Sequence, residues 1–292
     1  MQALSDIHGA HALAAESAAP NAPKQAVEGL SARSIGFAYA TNDATFEVFR
    51  DVSVEIPRGS ALGLFGPNGT GKTTLMRSLA RLQAVSGEVV APGKDGDRTR
   101  ATLGYVPQSY ARSFYPWASL ESNILMNLPD PLRNAKRNRQ AIRDAHDALG
   151  LDLDLARRPS QCSGGMLQQA ALIRALARRP DVLIADEPFS ALDFDVAARV
   201  RDGFRRAVKE LRICSVLVLH DLQDMLEVCD RVLAIPGRPY TTNPELRKYV
   251  LAPVFENRRR AGAGTSGARN RDDLADSPFL SALRKALGAG EP

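Results

Sequence analysis

The stretch that most constrains this chain is residues 66–74, Gly-Pro-Asn-Gly-Thr-Gly-Lys-Thr-Thr, which fits the phosphate-loop pattern G-x-x-x-x-G-K-[ST]. The apolar run at residues 61–65 predicts a buried strand in front of this loop. Apolar residues at helical spacing follow the loop: Leu75, Met76, Leu79 and Leu82. The sequence therefore predicts a strand, a glycine-rich loop and then a helix that begins near Lys72.

This arrangement suits the binding of phosphate groups. Glycines let the backbone curl so that its N–H groups point inward, and the helix N-terminus adds partial positive charge. Lys72 can reach the β- and γ-phosphates of a nucleotide, and the Thr73 hydroxyl can ligate Mg²⁺. The candidate nucleotide-binding residues are Gly66, Pro67, Asn68, Gly69, Thr70, Gly71, Lys72, Thr73 and Thr74. A glycine-rich turn without a ligand is the alternative, but the flanking strand and helix favour a nucleoside triphosphate site.

The bulk properties of the chain narrow its class. At 292 residues, one large α/β domain with a small subdomain is expected. The net charge of +5 is compatible with a membrane surface or a nucleic acid as partner and establishes neither. Three cysteines without paired spacing favour a reducing compartment. Because we find no signal-peptide pattern and no run of 18 apolar residues, we expect a soluble, cytoplasmic protein.

The first part of the chain changes character near residue 30. Residues 1–29 have the composition of a disordered leader, and residues 34–39, 46–49 and 52–56 predict strands of a β-rich lobe. Tyr39 in this lobe is our candidate for the aromatic ring that packs against adenine. The alternative for Tyr39 is a strand aromatic packed in a core.

Beyond the loop helix, several predicted strands end in polar residues. Residues 87–90 predict another strand, and the strand at residues 103–106 is followed by Gln108. Residues 109–165 are mostly helical in character, and a long helix follows Ser163, Gly164 and Gly165. Two buried strands end in Asp186-Glu187 and in His220. Because ligands of open parallel sheets sit beyond the carboxyl ends of the strands, we expect these polar residues to converge: Lys72, Gln108, Asp186, Glu187 and His220.

The C-terminal part predicts a flexible tail, residues 256–292, that follows a domain ending at residue 255. Within the tail, residues 278–287 predict a short amphipathic helix that needs a surface to fold against. The alternative is a frayed tail without a role.

Taken in order, these motifs resemble those of the ATP-binding cassette (ABC) ATPases. The phosphate loop, Gln108, the Ser163–Gly165 segment, residues 186–193 and His220 all stand where that family has its motifs, and the resemblance covers about residues 30–236. It implies an α/β fold: a P-loop NTPase core with a mainly parallel sheet, an N-terminal antiparallel β subdomain and a helical subdomain at about residues 109–165.

The resemblance also implies a role for each motif. Asp186 would hold Mg²⁺, Glu187 would be the general base that polarises the attacking water, and His220 would contact the γ-phosphate. Gln108 would sense the metal and the water. Ser163, Gly164 and Gly165 would meet the ATP held by a second copy of the chain, and Asp193 would lie in the loop that connects the two sites. Taken singly, each of these residues has an unremarkable alternative as a solvated or capping group.

The signature segment departs from the family's commonest form, Leu-Ser-Gly-Gly-Gln, because Cys162 and Met166 replace its first and last residues. A cysteine at a helix start can have a lowered pKa, so one hypothesis is that Cys162 is unusually reactive. The other is that Cys162 is a small buried apolar residue in place of leucine.

Short strings resemble the nitrate, sulfonate and taurine importers within the family: residues 115–117, Met166, residues 188–193 and residues 235–239. The implied partners are a second copy of the chain, integral membrane permease subunits and, indirectly, a solute-binding protein, with the chain on the inner face of the membrane. A cassette ATPase acting on nucleic acid or ribosomes is the alternative. Its usual coiled-coil insertions, zinc-binding cysteines or second cassette are not seen, so we expect no nucleic-acid partner. A P-loop kinase would not explain Ser163–Gly165 or His220.

Overall fold

The computed structural model describes residues 29–40, 45–93, 101–235 and 255–256. Its strands are β1 (Gly29–Ala40), β2 (Thr45–Pro57), β3 (Ser60–Phe65), β4 (Ser86–Val90), β5 (Leu103–Val106), β6 (Val182–Asp186), β7 (Cys214–Val218), β8 (Arg231–Ala234) and β9 (Phe255–Glu256). Its α-helices are α1 (Lys72–Leu79), α2 (Leu120–Leu125), α3 (Ala135–Ala148), α4 (Gly164–Ala177), α5 (Phe194–Glu210) and α6 (Leu222–Val228). Short 3₁₀ helices span Tyr110–Ser113 and Pro159–Gln161.

The larger sheet has the strand order β5-β6-β7-β3-β8-β9. Strands β5, β6, β7, β3 and β8 pair in parallel, and β9 pairs with β8 in antiparallel. Strands β6 and β7 are buried along their whole length, as expected for parallel strands covered on both faces. This order places the carboxyl ends of β5, β6, β7 and β3 side by side, which positions the residues that follow them.

The smaller sheet is antiparallel, with the order β2-β1-β4. Its buried face packs with α1 against one face of the larger sheet, in a core that includes Ile35, Val54, Leu75, Ile184 and Val216. Because side chains alternate along a strand, Leu183 and Leu217 point to the opposite face. There they join a second core with α4, α5 and the helices α2 and α3.

The structure confirms the predicted fold class: a mainly parallel sheet, an antiparallel sheet formed largely by the N-terminal strands, and helices between Gln108 and Ser163. The strands predicted at residues 61–65 and 103–106 are present within a residue of their expected bounds, and the predicted helix begins at Lys72. The long helix after Ser163 is α4.

Two local predictions are wrong. The strands predicted at residues 46–49 and 52–56 form one continuous strand, β2, because the polar residues between them make a β-bulge in which Asp51 has a φ of 54°. Leu82 does not belong to α1, which ends at Leu79. Arg81 takes a φ of 59°, which stops the helix, and Leu82 is 49% exposed.

The predictions for the ends of the chain fall largely outside the described residues. These are residues 1–28 of the predicted leader, and the tail from residue 257 with its predicted helix at 278–287. At the boundaries, Gly29 is already part of β1, and Glu256 belongs to the edge strand β9 rather than to a linker. A strand of two residues is too short for its periodicity to be detected in the sequence.

Candidate nucleotide-binding and hydrolysis site

The phosphate loop connects β3 to α1, as its sequence predicts. Gly66, Gly69 and Gly71 have φ values of 156°, 77° and 93°, which residues other than glycine rarely adopt. A Cβ on Gly66 would lie 2.2 Å from the backbone oxygen of Ile235, and one on Gly71 would lie 2.5 Å from a methyl group of Val48. Both glycines are therefore required by close packing as well as by backbone conformation.

Helix α1 presents an N-terminus suited to an anion. Its N-cap residue, Gly71, provides no side-chain hydrogen bond, and its first turn contains no acidic residue. The first N–H groups of the helix and its positive dipole end are therefore available to a phosphate group.

Lys72 is buried beneath this loop. Its Nζ donates hydrogen bonds to the backbone oxygens of Gly66 and Pro67, at 2.7 and 2.8 Å. Burial lowers the pKa of Lys72, while the carboxylates of Asp186 and Glu187 oppose that shift. The ammonium group is thus held by loop carbonyls next to the place where phosphates would bind.

Thr73 and Asp186 meet across 113 residues of sequence: the Thr73 hydroxyl donates to Asp186 Oδ2 at 2.9 Å. Asp186 ends strand β6 and is only 4% exposed. Burial raises the pKa of Asp186, and the hydrogen bond from Thr73 acts in the opposite direction. A hydroxyl and a carboxylate oxygen side by side are hard oxygen ligands of the kind that Mg²⁺ takes.

Gln108, Glu187 and His220 come together beside this pair. Gln108 Nε2 donates to Glu187 Oε1 at 3.3 Å, and His220 Nε2 lies 3.1 Å from the same oxygen. Each residue follows the carboxyl end of a neighbouring strand: β5, β6 and β7. The structure therefore brings these residues together at one edge of the sheet, as the sequence pattern indicates.

Tyr39 lies near the phosphate loop and outside both cores. Its side chain is 46% exposed, its hydroxyl is 3.5 Å from Thr74 Oγ1, and its ring packs edge-on against Phe37 with centroids 4.8 Å apart. This position leaves part of the ring open beside the nucleotide loop.

Ser163, Gly164 and Gly165 form the N-terminal turn of α4. Ser163 is the N-cap residue, and its Oγ accepts a hydrogen bond from the Met166 N–H at 3.3 Å. Ser163 and Gly164 are exposed, and within the described residues no hydrogen bond joins this turn to the phosphate loop of the same chain. Asp193, the N-cap residue of α5, is exposed and makes no side-chain capping bond.

The lowered pKa on which the hypothesis of a reactive Cys162 depends is wrong. Burial raises the pKa of the Cys162 thiol, and nearby Arg157 offsets this only in part. The sulfur donates to the backbone oxygen of Arg158 at 3.3 Å, and the side chain packs against the main core. Cys162 precedes the N-cap residue, so it does not face the helix N–H groups, and it behaves as a small apolar residue.

Sequence reasoning missed Gln168. This side chain is fully buried on α4, and it bonds to the backbone oxygen of Glu187 and to the backbone N–H of Ala191. The available signal was a pair of glutamines, Gln168 and Gln169, within a largely apolar helix. Such a residue needs hydrogen-bonding partners when buried.

The fold and this site define a P-loop NTPase. Residues 49–190 match the family model described as ABC transporter. Taken with the order of the motifs, this match shows that the chain contains an ABC transporter ATPase domain.

Curated relatives agree with that assignment. A sulfate/thiosulfate import ATP-binding protein, CysA, of Nocardia farcinica is 40% identical over 195 residues, which cover 65% of this chain and 58% of the relative. Proteins of the same name are 42% identical in Burkholderia mallei, with 65% and 56% covered, and 39% identical in Escherichia coli, with 65% and 53% covered. The chain thus spans a little over half the length of these relatives. Their names refer to sulfate and thiosulfate, so the nitrate, sulfonate and taurine group is only loosely resembled.

Solved structures show the same fold. One is a dimeric ATP-binding cassette in a post-hydrolysis state with ADP and Pi, with a TM-score of 0.58 and 23% identity over 70% of this chain and 93% of the other. Another is a putative metal-chelate type ABC transporter in an inward-facing conformation, with a TM-score of 0.61 and 22% identity over 79% of this chain and 84% of the other. In the parts of the chain described here, no helix has the length and apolar character to cross a membrane.

Proposed function

We propose that this chain is the ATP-binding and hydrolysing subunit of an ABC transporter, which energises uptake of a small solute through a separate membrane permease. The observation that carries the proposal is the cluster of Gln108, Glu187 and His220 next to the Thr73–Asp186 pair. This cluster combines a candidate base, the residues that orient it and oxygen ligands for a metal beside the phosphate loop. Phosphoryl transfer requires such an arrangement.

ATP binding would use groups that are now held by the loop itself. The Lys72 ammonium would exchange the carbonyl oxygens of Gly66 and Pro67 for phosphate oxygens, and the uncapped N-terminus of α1 would receive the phosphate charge. Tyr39 would contribute its exposed face to adenine, because its hydroxyl already lies beside Thr74.

The donor set at Thr73, Asp186 and Gln108 fits a Mg²⁺ ion. When bound there, Mg²⁺ would neutralise negative charge on the phosphate oxygens. In the structure the Thr73 hydroxyl donates a hydrogen bond to Asp186. Because this bond already holds the two oxygens side by side, both would be available as ligands of the ion.

Hydrolysis would depend on Glu187 as the group that accepts a proton from the attacking water. Gln108 and His220 both approach Oε1, and none of the described hydrogen bonds uses Oε2. The two neighbours would therefore fix the orientation of the carboxylate while its second oxygen meets the water.

A second copy of the chain would complete each site. The Ser163–Gly165 turn is exposed and is not bonded to its own phosphate loop, yet it offers a helix N-terminus and a hydroxyl that can still donate to an anion. Asp193 would lie between the two sites of such a dimer.

The permease would contact the helical part of the domain. Tyr115 and Trp117 are 46% and 69% exposed with ring centroids 5.2 Å apart, and the buried Asn123 side chain bonds to the Tyr115 backbone and so holds this turn. Two neighbouring exposed aromatic rings suit a protein partner. The chain would then lie on the inner face of the membrane, with a solute-binding protein supplying the permease. The relatives' names make sulfate and thiosulfate the first solutes to test.

The test is the ATPase activity of the purified chain and of its Glu187→Gln variant, with Glu210→Gln as a matched control at an exposed position. We expect Glu187→Gln to lower kcat by about 100-fold or more, since general base catalysis contributes on that order, and to retain ATP binding. The control should keep full activity. In size-exclusion chromatography, the Glu187→Gln variant should also elute as a dimer with ATP and as a monomer without it.

Purification of the native protein from detergent-solubilised membranes tests the transport partner. A multi-span membrane protein in stoichiometric amount would support the proposal. Recovery with nucleic acid or ribosomal protein instead would favour the alternative class of cassette ATPases.

A further inference from the structure

Gln168 links the helix of the signature turn to the proposed general base. It lies on α4, five residues after Ser163, and its side chain is fully buried next to apolar residues such as Leu167 and Ala170. A buried amide in such a position is retained only where its hydrogen bonds are made.

All the bonds of the Gln168 amide go to one segment, residues 187–191. Its Nε2 donates to the backbone oxygen of Glu187 at 2.8 Å, with a longer contact of 3.5 Å to Ser190 Oγ. Its Oε1 accepts from the backbone N–H of Ala191 at 2.9 Å. The amide therefore closes a bridge from α4 to two points, Glu187 and Ala191, of the loop that follows strand β6.

The backbone of Glu187 needs such support. Its φ is 53°, in the left-handed region that a residue with a side chain adopts only when its surroundings impose it. Its N–H donates to the backbone oxygen of Val218 at 3.0 Å, which ties it to the strand that leads to His220. Its carbonyl accepts from Gln168 and also from the Ser190 hydroxyl at 3.1 Å.

We propose that Gln168 is a positioning residue that holds Glu187 in its left-handed backbone conformation, aims its carboxylate at Gln108 and His220, and transmits movement of the signature turn to that carboxylate. The proposal rests on the proposed function for the role of Glu187. Because Ser163 and Gln168 share one helix, a displacement of the turn on binding the second copy's ATP would be felt at the carbonyl of Glu187.

The experiment compares Gln168→Leu and Gln168→Glu with Gln169→Leu in the full chain. Gln169 is the adjacent, half-buried residue of the same helix, and its side chain makes no hydrogen bond within the described residues. Gln168→Leu removes both bonds at nearly constant volume. Gln168→Glu keeps an acceptor for Ala191 and, when its carboxyl is ionised, loses the donor to Glu187.

We expect Gln168→Leu to lower kcat by about 10- to 100-fold, since small misplacement of a catalytic group costs that much, with KM for ATP within about twofold of the wild-type value. Hydrogen exchange at residues 187–191 should be about tenfold faster than in the wild-type chain, because the Ala191 N–H loses its acceptor. Gln169→Leu should change neither quantity.

A pH profile separates positioning from a loss of core packing. Burial raises the pKa of the introduced carboxyl in Gln168→Glu, so its protonated form can donate to the carbonyl of Glu187 at low pH. Measured relative to the wild-type profile at each pH, kcat of this variant should recover by about threefold or more between pH 8.5 and pH 6.

Two results would overturn the proposal. One is an unchanged kcat and unchanged exchange at residues 187–191 in Gln168→Leu. The other is a loss of activity that parallels a loss of thermal stability, with KM for ATP raised by the same factor by which kcat falls and with no recovery of kcat at low pH in Gln168→Glu. A wild-type chain without ATPase activity would instead refute the proposed function, whereas the exchange measurement would still report on the bridge itself.

Discussion

Gly164 and Gly165 are adjacent glycines in the first turn of α4, and they differ sharply in the space around them. A Cβ on Gly165 would lie 2.8 Å from the backbone oxygen of Ala191, whereas one on Gly164 would meet nothing closer than the Tyr110 hydroxyl at 3.7 Å. The same substitution, Gly to Ala, therefore creates a clash at one position and an ordinary contact at the next.

The magnitude follows from this difference. Carbon and oxygen atoms need about 3.4 Å, so Gly165→Ala forces the Ala191 backbone to shift by about 0.6 Å, and overpacking of this kind costs about 1–3 kcal/mol. Both variants gain up to about 1 kcal/mol of helix propensity. Because that gain is common to both, Gly165→Ala should be less stable than Gly164→Ala by about 1–3 kcal/mol.

The assay is urea unfolding of both variants without nucleotide, so that effects on ATP binding and on dimer formation do not enter. Midpoints are compared at equal slope. If the two variants agree within about 0.5 kcal/mol, the close approach between α4 and residue 191 is not as described, and the coupling between these elements fails with it.

Two further substitutions test the packing of the core and a partly buried ion pair. Gly63→Ala places a Cβ 2.9 Å from Cys229 Sγ, so it should lower the free energy of unfolding by about 1–2 kcal/mol. In urea unfolding, the double variant with Cys229→Ala should lose less stability than the sum of the two single variants. Additive losses would contradict the contact. Arg201→Met leaves the partly buried carboxylate of Asp224, now 2.6 Å from the guanidinium, without its partner and should cost about 1–3 kcal/mol at pH 7. Burial already raises the pKa of Asp224, and loss of Arg201 raises it further, so the folded state of the variant binds a proton more tightly. The loss of stability caused by Arg201→Met should therefore shrink as the pH falls toward 4. A loss of stability that does not depend on pH would refute the argument.

Much of the fold was predictable because its signals are local. The glycines at 66, 69 and 71 report directly on the positive φ values that the phosphate loop adopts, and the apolar run before them is the buried strand β3. Likewise, Ser163 before two glycines marks the N-terminus of α4 because capping is a matter of adjacent residues. The bulge in β2 was missed because Arg50 and Asp51 look like a break between strands, whereas pairing with β1 carries the strand through them.

The sequence by itself determined the elements that carry the site: a phosphate loop between β3 and α1, and polar residues within two positions of the ends of β5, β6 and β7. Only the tertiary structure decided the strand order that brings Gln108 to Glu187 across 79 residues, the raised pKa of Cys162, and the bridge from Gln168 to residues 187 and 191. The reason is physical. Backbone conformation and capping depend on neighbours along the chain, whereas desolvation and long-range hydrogen bonds depend on which surfaces pack together.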